Sequence, residues 1–227
     1  DDQLAARVAE LGTPERVLGV TADIARAEDI QQLIAATEAH FGRLDILVNN
    51  AGITHRSPAH QTDPVVFRQV MAVDWQGPVE LTLAALPLLR ASRGQIICIG
   101  SMAGWMPVPG RAAYCAAKSA LTQFFEVLRL ELEADGIHIL MAYPSFLDTP
   151  IEQHALGKDG KTARHPRSMI GGMKSADWMA VLIDQGLQQR KRWLLPEPVS
   201  RVGSLLWRIA PSLYLRQVRK RFAGELR

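Results

Sequence analysis

The chain has 227 residues, a formal net charge of +3 and 48% hydrophobic residues, which suits one well-packed globular domain and excludes a disordered chain. Its two cysteines, Cys98 and Cys115, belong to no CxxC or Cys/His cluster, so we expect a reducing, cytoplasmic compartment and no metal site. No apolar stretch approaches the roughly 20 residues of a membrane-spanning helix, so a soluble or peripheral protein is expected.

Short β-branched runs alternate with longer helical patterns along the chain. Strands are predicted over residues 17–22, 46–48, 95–100, 137–143 and 193–195. Helices are predicted over residues 4–11, 27–41, 64–89 with a break near Gly77, 112–134 and 176–189. This alternation predicts an α/β fold, in which helices cover both faces of a parallel sheet and ligands bind at the carboxyl ends of its strands.

Two polar positions follow the first two predicted strands. Asp23 comes directly after residues 17–22, where its carboxylate could accept a hydrogen bond from an adenine amino group or cap the next helix. Both interpretations stay open. The run Asn-Asn-Ala-Gly at 49–52 follows the second strand, and its small and amide side chains suit a place where backbone approaches a cofactor or a neighbouring strand.

Ser101 directly follows the strand predicted over residues 95–100. This position puts its hydroxyl at a carboxyl end of the sheet, where a hydrogen-bond donor can polarise a substrate carbonyl. A simple capping role is the alternative. Because no GxSxG motif surrounds Ser101, a hydrolase is the less attractive interpretation.

Tyr114 and Lys118 lie four residues apart at the start of the helix predicted over residues 112–134. This spacing places them on one helix face, so the lysine ammonium can favour the phenolate form of the tyrosine. A free tyrosine has a pKa near ~10, and a neighbouring cation lowers that pKa toward the range of a useful general base. An ordinary helix with one exposed lysine is the alternative.

The carboxyl-terminal end is basic and amphipathic. Residues 190–227 hold ten Lys/Arg and two Glu, a local charge of +8 that leaves −5 on the rest of the chain. Apolar residues and cations interleave from 202 to 222 around Pro211, a composition suited to a pair of helices at a membrane interface. A substrate-entrance flap or a subunit contact is the alternative. We therefore separate a main domain, residues 1–198, from an extension, residues 199–227.

Three of these features together resemble the short-chain dehydrogenase/reductase family. They are Asn-Asn-Ala-Gly at 49–52, Ser101, and Tyr-Cys-Ala-Ala-Lys at 114–118, with the serine thirteen positions before the tyrosine as in that family. The resemblance runs from residue 1 to about residue 195 and implies a Rossmann-type, doubly wound parallel sheet. In its basic end the chain is similar to the membrane-associated, hydroxysteroid-dehydrogenase-like branch of the family.

The resemblance implies a role for each matching residue. Tyr114 would be the general acid/base, Lys118 would lower its pKa and hold the nicotinamide ribose, and Ser101 would orient the substrate oxygen. The implied cofactor is NADP(H), with NAD(H) as the alternative. Its implied contacts are Asp23, Asn49, Ala51, Gly52, Tyr114, Lys118, Pro144, Leu147 and Thr149. The implied substrate is a small-molecule alcohol or ketone, and the implied assembly is a homodimer or homotetramer.

Three features depart from the family's pattern. No TGxxxGxG glycine turn is present, so the resemblance implies a truncated chain that lacks the first βαβ portion with its pyrophosphate-binding loop. Asp74 stands where the family has asparagine as the fourth catalytic residue, and its charge is expected to raise the pKa of Lys118 and screen its effect on Tyr114. Ser145 replaces the glycine that usually follows Pro144.

The leading hypothesis is an oxidoreductase that interconverts a secondary alcohol and a ketone, on a lipophilic substrate if the branch resemblance holds. Candidate pocket walls, which could equally be ordinary core, are Trp105, Met106, Val108, Phe146, Leu147 and Met169. One alternative is a cofactor-binding or scaffold protein with weakened catalysis, which Asp74 motivates. Another is a peripheral membrane module that acts through residues 199–227. No nucleic-acid partner is expected.

Overall fold

Four parallel strands form the central sheet. The computed structural model describes residues 2–164, 168–169 and 171–226, and within these the strand order is β1-β2-β3-β6. The strands of this sheet are β1 (Ile46–Asn49), β2 (Gln95–Ile99), β3 (His138–Ala142) and β6 (Trp193–Leu194). The short strands β4 (Leu147–Asp148) and β5 (Lys174–Ser175) pair with each other in a second parallel sheet. The predicted parallel α/β class is confirmed.

The helices follow the predicted pattern closely. They are α1 (Asp2–Leu11), α2 (Ala27–Phe41), α3 (Pro64–Met71), α4 (Gly77–Ser92), α5 (Ala112–Glu131), α6 (Ala176–Gln188), α7 (Pro198–Ile209) and α8 (Pro211–Arg221). The predicted break near Gly77 takes the form of a π-helical segment, Ala72–Gln76, between α3 and α4. Asp63 caps α3 by accepting a hydrogen bond from the Val65 amide, and proline occupies the first helical position, where it costs no hydrogen bond.

Two apolar layers hold the helices against the sheet. On one face, Ile96 and Cys98 of β2 and Ile139 of β3 are buried against α4 and α5, while α2 closes the layer through Ile30. On the other face, Ile97, Leu140 and Leu194 pack against α6. Residues of β2 and β3 are therefore buried on both faces, as their continuous apolar runs predict.

The strand predicted over residues 17–22 is wrong. These residues have no regular secondary structure, and four of the six are exposed. An extended segment becomes a strand only by hydrogen bonding to a neighbour, and among the described residues no strand lies beside it. β1 is the outermost strand on this side of the sheet, and one of its faces is uncovered, since Ile46 is 42% and Val48 is 50% exposed.

Candidate active site

Three loops meet at the carboxyl-terminal edge of the central sheet. The segments that follow β1, β2 and β3 line a single cavity of about 830 Å³ together with the first turns of α5. The predicted site residues that line this cavity are Ala51, Gly52, Ser101, Tyr114, Lys118, Pro144, Leu147 and Thr149. Parallel strands bring these residues together because their carboxyl ends share one edge.

Ser101 and Tyr114 approach each other across this cavity. Ser101 begins a short 3-10 turn, and its Oγ accepts a hydrogen bond from the Ala103 amide at 3.2 Å, which leaves the hydroxyl proton free to donate. A hydrogen bond between the Ser101 and Tyr114 side chains lowers the pKa of Tyr114. The two hydroxyls are therefore neighbours at the cavity, and their contact with one substrate oxygen stays a prediction.

The pKa of Tyr114 differs from the sequence-based expectation. Burial raises the pKa of the phenol, and this effect exceeds the lowering that the positive charge of Lys118 causes. The negative charge of Asp74 also raises the pKa of Tyr114, and the Ser101 hydrogen bond opposes it. Lys118 acts in the predicted direction, but the pKa of Tyr114 lies above its ordinary value.

Lys118 is buried and held by oxygen atoms. Its Nζ donates to the Ile99 carbonyl at 3.2 Å and lies 3.5 Å from Asp74 Oδ2. It also lies 5.7 Å from the centroid of the Tyr114 ring. Burial lowers the pKa of Lys118, but the charges of Asp74 and Tyr114 raise it, and the result is above the ordinary value. Lys118 is therefore an ammonium at neutral pH.

Asp74 lies in the π-helical segment between α3 and α4 and is fully buried. Its Oδ1 accepts a hydrogen bond from the Ile53 amide at 2.7 Å, which ties the loop after β1 to this segment. Burial raises the pKa of Asp74, while Lys118 and the Ile53 amide lower it. The expected influence on Lys118 is confirmed in direction, since the Asp74 charge raises the pKa of Lys118.

Gly52 lies beside the Lys118 ammonium, on the side of the cavity where the resemblance implies the nicotinamide ribose. A methyl group at Gly52 would lie 3.5 Å from Lys118 Nζ and 3.6 Å from Asp74 Oδ1, so the glycine keeps the space beside the ammonium open. Pro144, Leu147 and Thr149 line the same cavity. The sequence contains no TGxxxGxG turn, so no residues for the pyrophosphate are assigned.

Two predicted cofactor contacts lie elsewhere. Asn49 is buried at the end of β1, where its Nδ2 donates to Thr82 Oγ1 at 2.9 Å. Asp23 is exposed, and its Oδ1 accepts a hydrogen bond from the Ala25 amide at 2.9 Å. Because α2 begins at Ala27 and its N-cap, Arg26, makes no side-chain capping bond, the interpretation of Asp23 as a helix cap is wrong. Neither residue lines the cavity, and their contacts with adenosine stay predictions.

The far wall of the cavity is apolar, and the sequence predicts only part of it. Four of the six candidate wall residues line the cavity, namely Met106, Val108, Phe146 and Leu147, whereas Trp105 and Met169 do not. The walls that sequence reasoning missed come from α7 and α8 and include Val202, Leu206, Tyr214, Val218 and Phe222. The signal that could have found them is the amphipathic pattern of residues 202–222, for which a substrate flap is one interpretation.

Two kinds of site are absent from the described residues. None of the helices in the described ranges is long and apolar enough to cross a membrane. No group of three or more His, Cys, Asp or Glu in these same ranges is arranged to hold a metal ion.

Comparisons with known proteins agree with the family resemblance and the fold. The family described as "short chain dehydrogenase" matches residues 1–159. The chain is 40% identical over 152 residues to "11-beta-hydroxysteroid dehydrogenase A" of Sesamum indicum, a match that covers 66% of this chain and 43% of that protein. It is 32% identical over 214 residues to "Dehydrogenase/reductase SDR family member 7B" of Bos taurus, a match that covers 91% of this chain and 64% of that protein.

A solved structure gives the same result for the fold. A short-chain dehydrogenase from Streptomyces avermitilis superposes with a TM-score of 0.75 at 26% identity, over 99% of this chain and 84% of that chain. The chain spans 43% of the sesame relative and 64% of the bovine relative.

Proposed function

Because this chain belongs to the short-chain dehydrogenase family, we propose that its parent protein interconverts a secondary alcohol and a ketone by hydride transfer with a nicotinamide cofactor. The observation that carries the proposal is the convergence of Ser101, Tyr114 and Lys118 on one cavity at the carboxyl-terminal edge of the sheet. This placement is where ligands bind in open α/β sheets.

The proposed chemistry assigns one task to each of these side chains. When bound, the nicotinamide ring supplies a hydride to the substrate carbon or accepts one from it. In ketone reduction, Ser101 donates a hydrogen bond to the substrate oxygen, and Tyr114 transfers its phenolic proton to that oxygen. The Lys118 ammonium stabilises the resulting phenolate. Alcohol oxidation reverses these steps, with the Tyr114 phenolate accepting the proton.

We assign NADP(H) as the cofactor, with NAD(H) as the alternative. Gly52 and Lys118 support binding of the nicotinamide ribose, which the two cofactors share. Asp23 and Asn49 remain the proposed adenosine contacts. Parallel titrations of the full-length protein with NADPH and NADH, followed by cofactor fluorescence, decide between the two, and tighter binding of NADH would reverse the assignment.

The proposed substrate is lipophilic. The cavity volume of about 830 Å³ lies within the range of sites for small organic ligands. Its far wall is built from apolar side chains of the β2–α5 loop, α7 and α8, including Met106, Val108 and Leu206. Burial of apolar substrate surface contributes about 25 cal/mol per Å², so this wall favours a large apolar alcohol or ketone over a small one.

We propose two kinds of partner beyond the substrate. The extension, residues 199–227, would contact a membrane surface, because it exposes Val202, Leu205 and Ile209 close to its many cations. A second copy of the chain would pack against small residues of α5 such as Ala116, giving a homodimer or homotetramer. Both proposals are compatible with a cytoplasmic protein that binds a membrane peripherally.

A cofactor-binding or scaffold protein with weakened catalysis is the second candidate function. Asp74 supports it, because its carboxylate lies 3.5 Å from Lys118 and its charge raises the pKa of Tyr114. The Asp74 carboxylate therefore opposes the lowering of the Tyr114 pKa that Lys118 causes.

Replacing Tyr114 in the full-length protein separates the two candidates. We expect Tyr114→Phe to lower nicotinamide-linked turnover of secondary alcohols by at least about a hundredfold, because the phenylalanine ring cannot transfer a proton. Cofactor binding, measured by fluorescence titration, should stay within about twofold of wild type. Equal turnover in the variant would reject Tyr114 as the acid/base. Absence of turnover in the wild type, with cofactor still bound, would favour the scaffold.

A further inference from the structure

We infer that the ion pair between Arg111 and Glu225 determines substrate size. In this inference the pair holds α7 and α8 in place as the far wall of the cavity, and so favours large lipophilic substrates. The inference rests on the proposed function for its kinetic consequence, although its structural consequence can be tested without turnover. Arg111 and Glu225 are positioning residues, because they act through the wall and not on the reacting atoms.

The pair joins two parts of the chain that are far apart in sequence. Arg111 immediately precedes α5, whereas Glu225 lies in the 3-10 turn Ala223–Leu226 that follows α8. Arg111 Nη1 lies 2.7 Å from Glu225 Oε2, and the two side chains are only 7% and 2% exposed. Removing one partner of such a buried ion pair strongly destabilises the folded structure, because the other charge then stays buried without compensation.

Further contacts place Glu225 firmly against the cavity. Its Oε1 accepts a hydrogen bond from the Ser168 amide, and Ser168 lines the cavity. Gly110 has a left-handed φ of +73°, and a methyl group there would lie 3.3 Å from Glu225 Oε2. The carboxyl-terminal turn therefore lies close to the Gly110 backbone, whose left-handed conformation a residue with a side chain would adopt only with strain.

A second carboxylate completes a buried cluster around Arg111. Glu152 Oε2 lies 3.6 Å from Arg111 Nη2 and 3.8 Å from Arg56 Nη1. Arg111 therefore contacts two carboxylates, and the contact with Glu225 is the shorter one. Removal of the Glu225 charge takes the nearer carboxylate away from a buried arginine, which favours release of the turn.

The wall that the pair secures immediately precedes the turn in the chain. Tyr214, Val218 and Phe222 of the α8 region are buried against Met106 and Val108. The Tyr214 hydroxyl also donates to the Pro107 carbonyl at 3.0 Å. Release of Glu225 would therefore loosen the apolar wall, while Ser101 and Tyr114, which belong to other elements, would keep their positions.

The rate of proteolysis measures directly how strongly the Arg111–Glu225 ion pair keeps α7 and α8 packed in place. In the full-length protein, we expect Glu225→Gln and Arg111→Gln each to speed tryptic cleavage at the basic residues of α7 and α8 by at least about tenfold. The double variant should be cleaved more slowly than the product of the two single effects, because both changes remove one interaction. The matched control is Glu133→Gln, the same chemical change at an exposed glutamate that follows α5. Cleavage of Glu225→Gln at the rate of the control would overturn the inference.

Steady-state kinetics measures the consequence for substrate size. With a polycyclic ketone, KM of Glu225→Gln should rise by about tenfold, whereas KM for acetone and both kcat values should stay within about twofold. Equal changes in KM for the two ketones would show that the pair does not set substrate size. If the wild type shows no turnover, the proposed function fails, while proteolysis and the binding of the apolar dye Nile red still decide whether the pair secures the wall.

Discussion

Asp74 lies beside Lys118, at the position where the resemblance to the family implies an asparagine. The Asp74 carboxylate lies 3.5 Å from the ammonium, and the Ile53 amide donates to its other oxygen. Its charge raises the pKa values of both Lys118 and Tyr114. Asp74 therefore keeps the lysine charged but makes the tyrosine a weaker acid.

We expect Asp74→Asn to shift the pH dependence of alcohol oxidation to lower pH. Oxidation needs Tyr114 as a phenolate, so its rate rises as pH passes upward through the pKa of Tyr114. Removal of the Asp74 negative charge lowers that pKa, and the rising limb of the kcat/KM profile moves down with it. Asp177→Asn, at an exposed position in α6, is the matched control. If the rising limb of the kcat/KM profile stays in place or moves to higher pH, the Asp74 charge does not raise the pKa of Tyr114.

At the residue scale, the sequence predicts which side chains meet but not their final pKa values. The spacing of Tyr114 and Lys118 fixes their common helix face, and Ser101 follows from the end of a strand. The net pKa of Tyr114 depends on its burial, and Tyr114 packs in a cluster with residues of α3 and the loop after β1, which local spacing does not reveal. The same applies to Arg111 and Glu225, whose contact joins residues 114 positions apart.

Among the elements, α5 supports both the core and the site. Phe125 is fully buried in the layer between α5 and the sheet, whereas Leu130, near the end of the same helix, is 71% exposed. The buried face of α5 thus holds the turns that carry Tyr114 and Lys118 against the strand ends.

Replacement of Phe125 should destabilise the fold far more than replacement of Leu130. We expect Phe125→Ala to lower the free energy of unfolding by about 3–5 kcal/mol, because it removes buried apolar contacts and leaves a cavity. Leu130→Ala should change it by less than about 0.5 kcal/mol. Urea denaturation followed by circular dichroism measures both values. Similar losses in the two variants would contradict the assigned core.

The sequence predicts an element correctly where the signal lies within the element itself, and incorrectly where the element depends on a distant partner. Helices α2, α5 and α6 lie within a few residues of their predicted ranges, because apolar periodicity and capping residues act over short distances. The segment 17–22 has the composition of a strand but no neighbouring strand among the described residues, and pairing is what makes a strand.

For the whole molecule, charge and apolar surface are concentrated at the carboxyl-terminal end. Residues 190–227 carry a local charge of +8, and α7 exposes Leu205 at 58% and Ile209 at 73%. A surface that combines exposed apolar groups with cations suits an anionic membrane interface. The sequence predicts this composition, but the packing of α7 and α8 over the cavity depends on tertiary contacts.

Binding to lipid vesicles tests this surface. We expect sedimentation with phosphatidylserine-containing vesicles, weakened by salt, and a partition coefficient at least about tenfold lower for the Leu205→Ser/Ile209→Ser variant, because two apolar anchors are lost. Leu130→Ser, at an exposed position in α5, should bind as the wild type does. If the double variant has the partition coefficient of the wild type, α7 does not form the proposed membrane contact.

Deuterium transfer tests the central claim most directly, namely that this site moves a hydride between a substrate carbon and a nicotinamide. The full-length protein would be given oxidised cofactor and a secondary alcohol with deuterium on its carbinol carbon, and the reduced cofactor would be analysed by mass spectrometry. We expect one deuterium on the nicotinamide ring with the wild type, and at least about a hundredfold slower labelling with Tyr114→Phe. Reduced cofactor without deuterium would contradict hydride transfer at this site, and equal labelling by Tyr114→Phe would contradict the role of Tyr114.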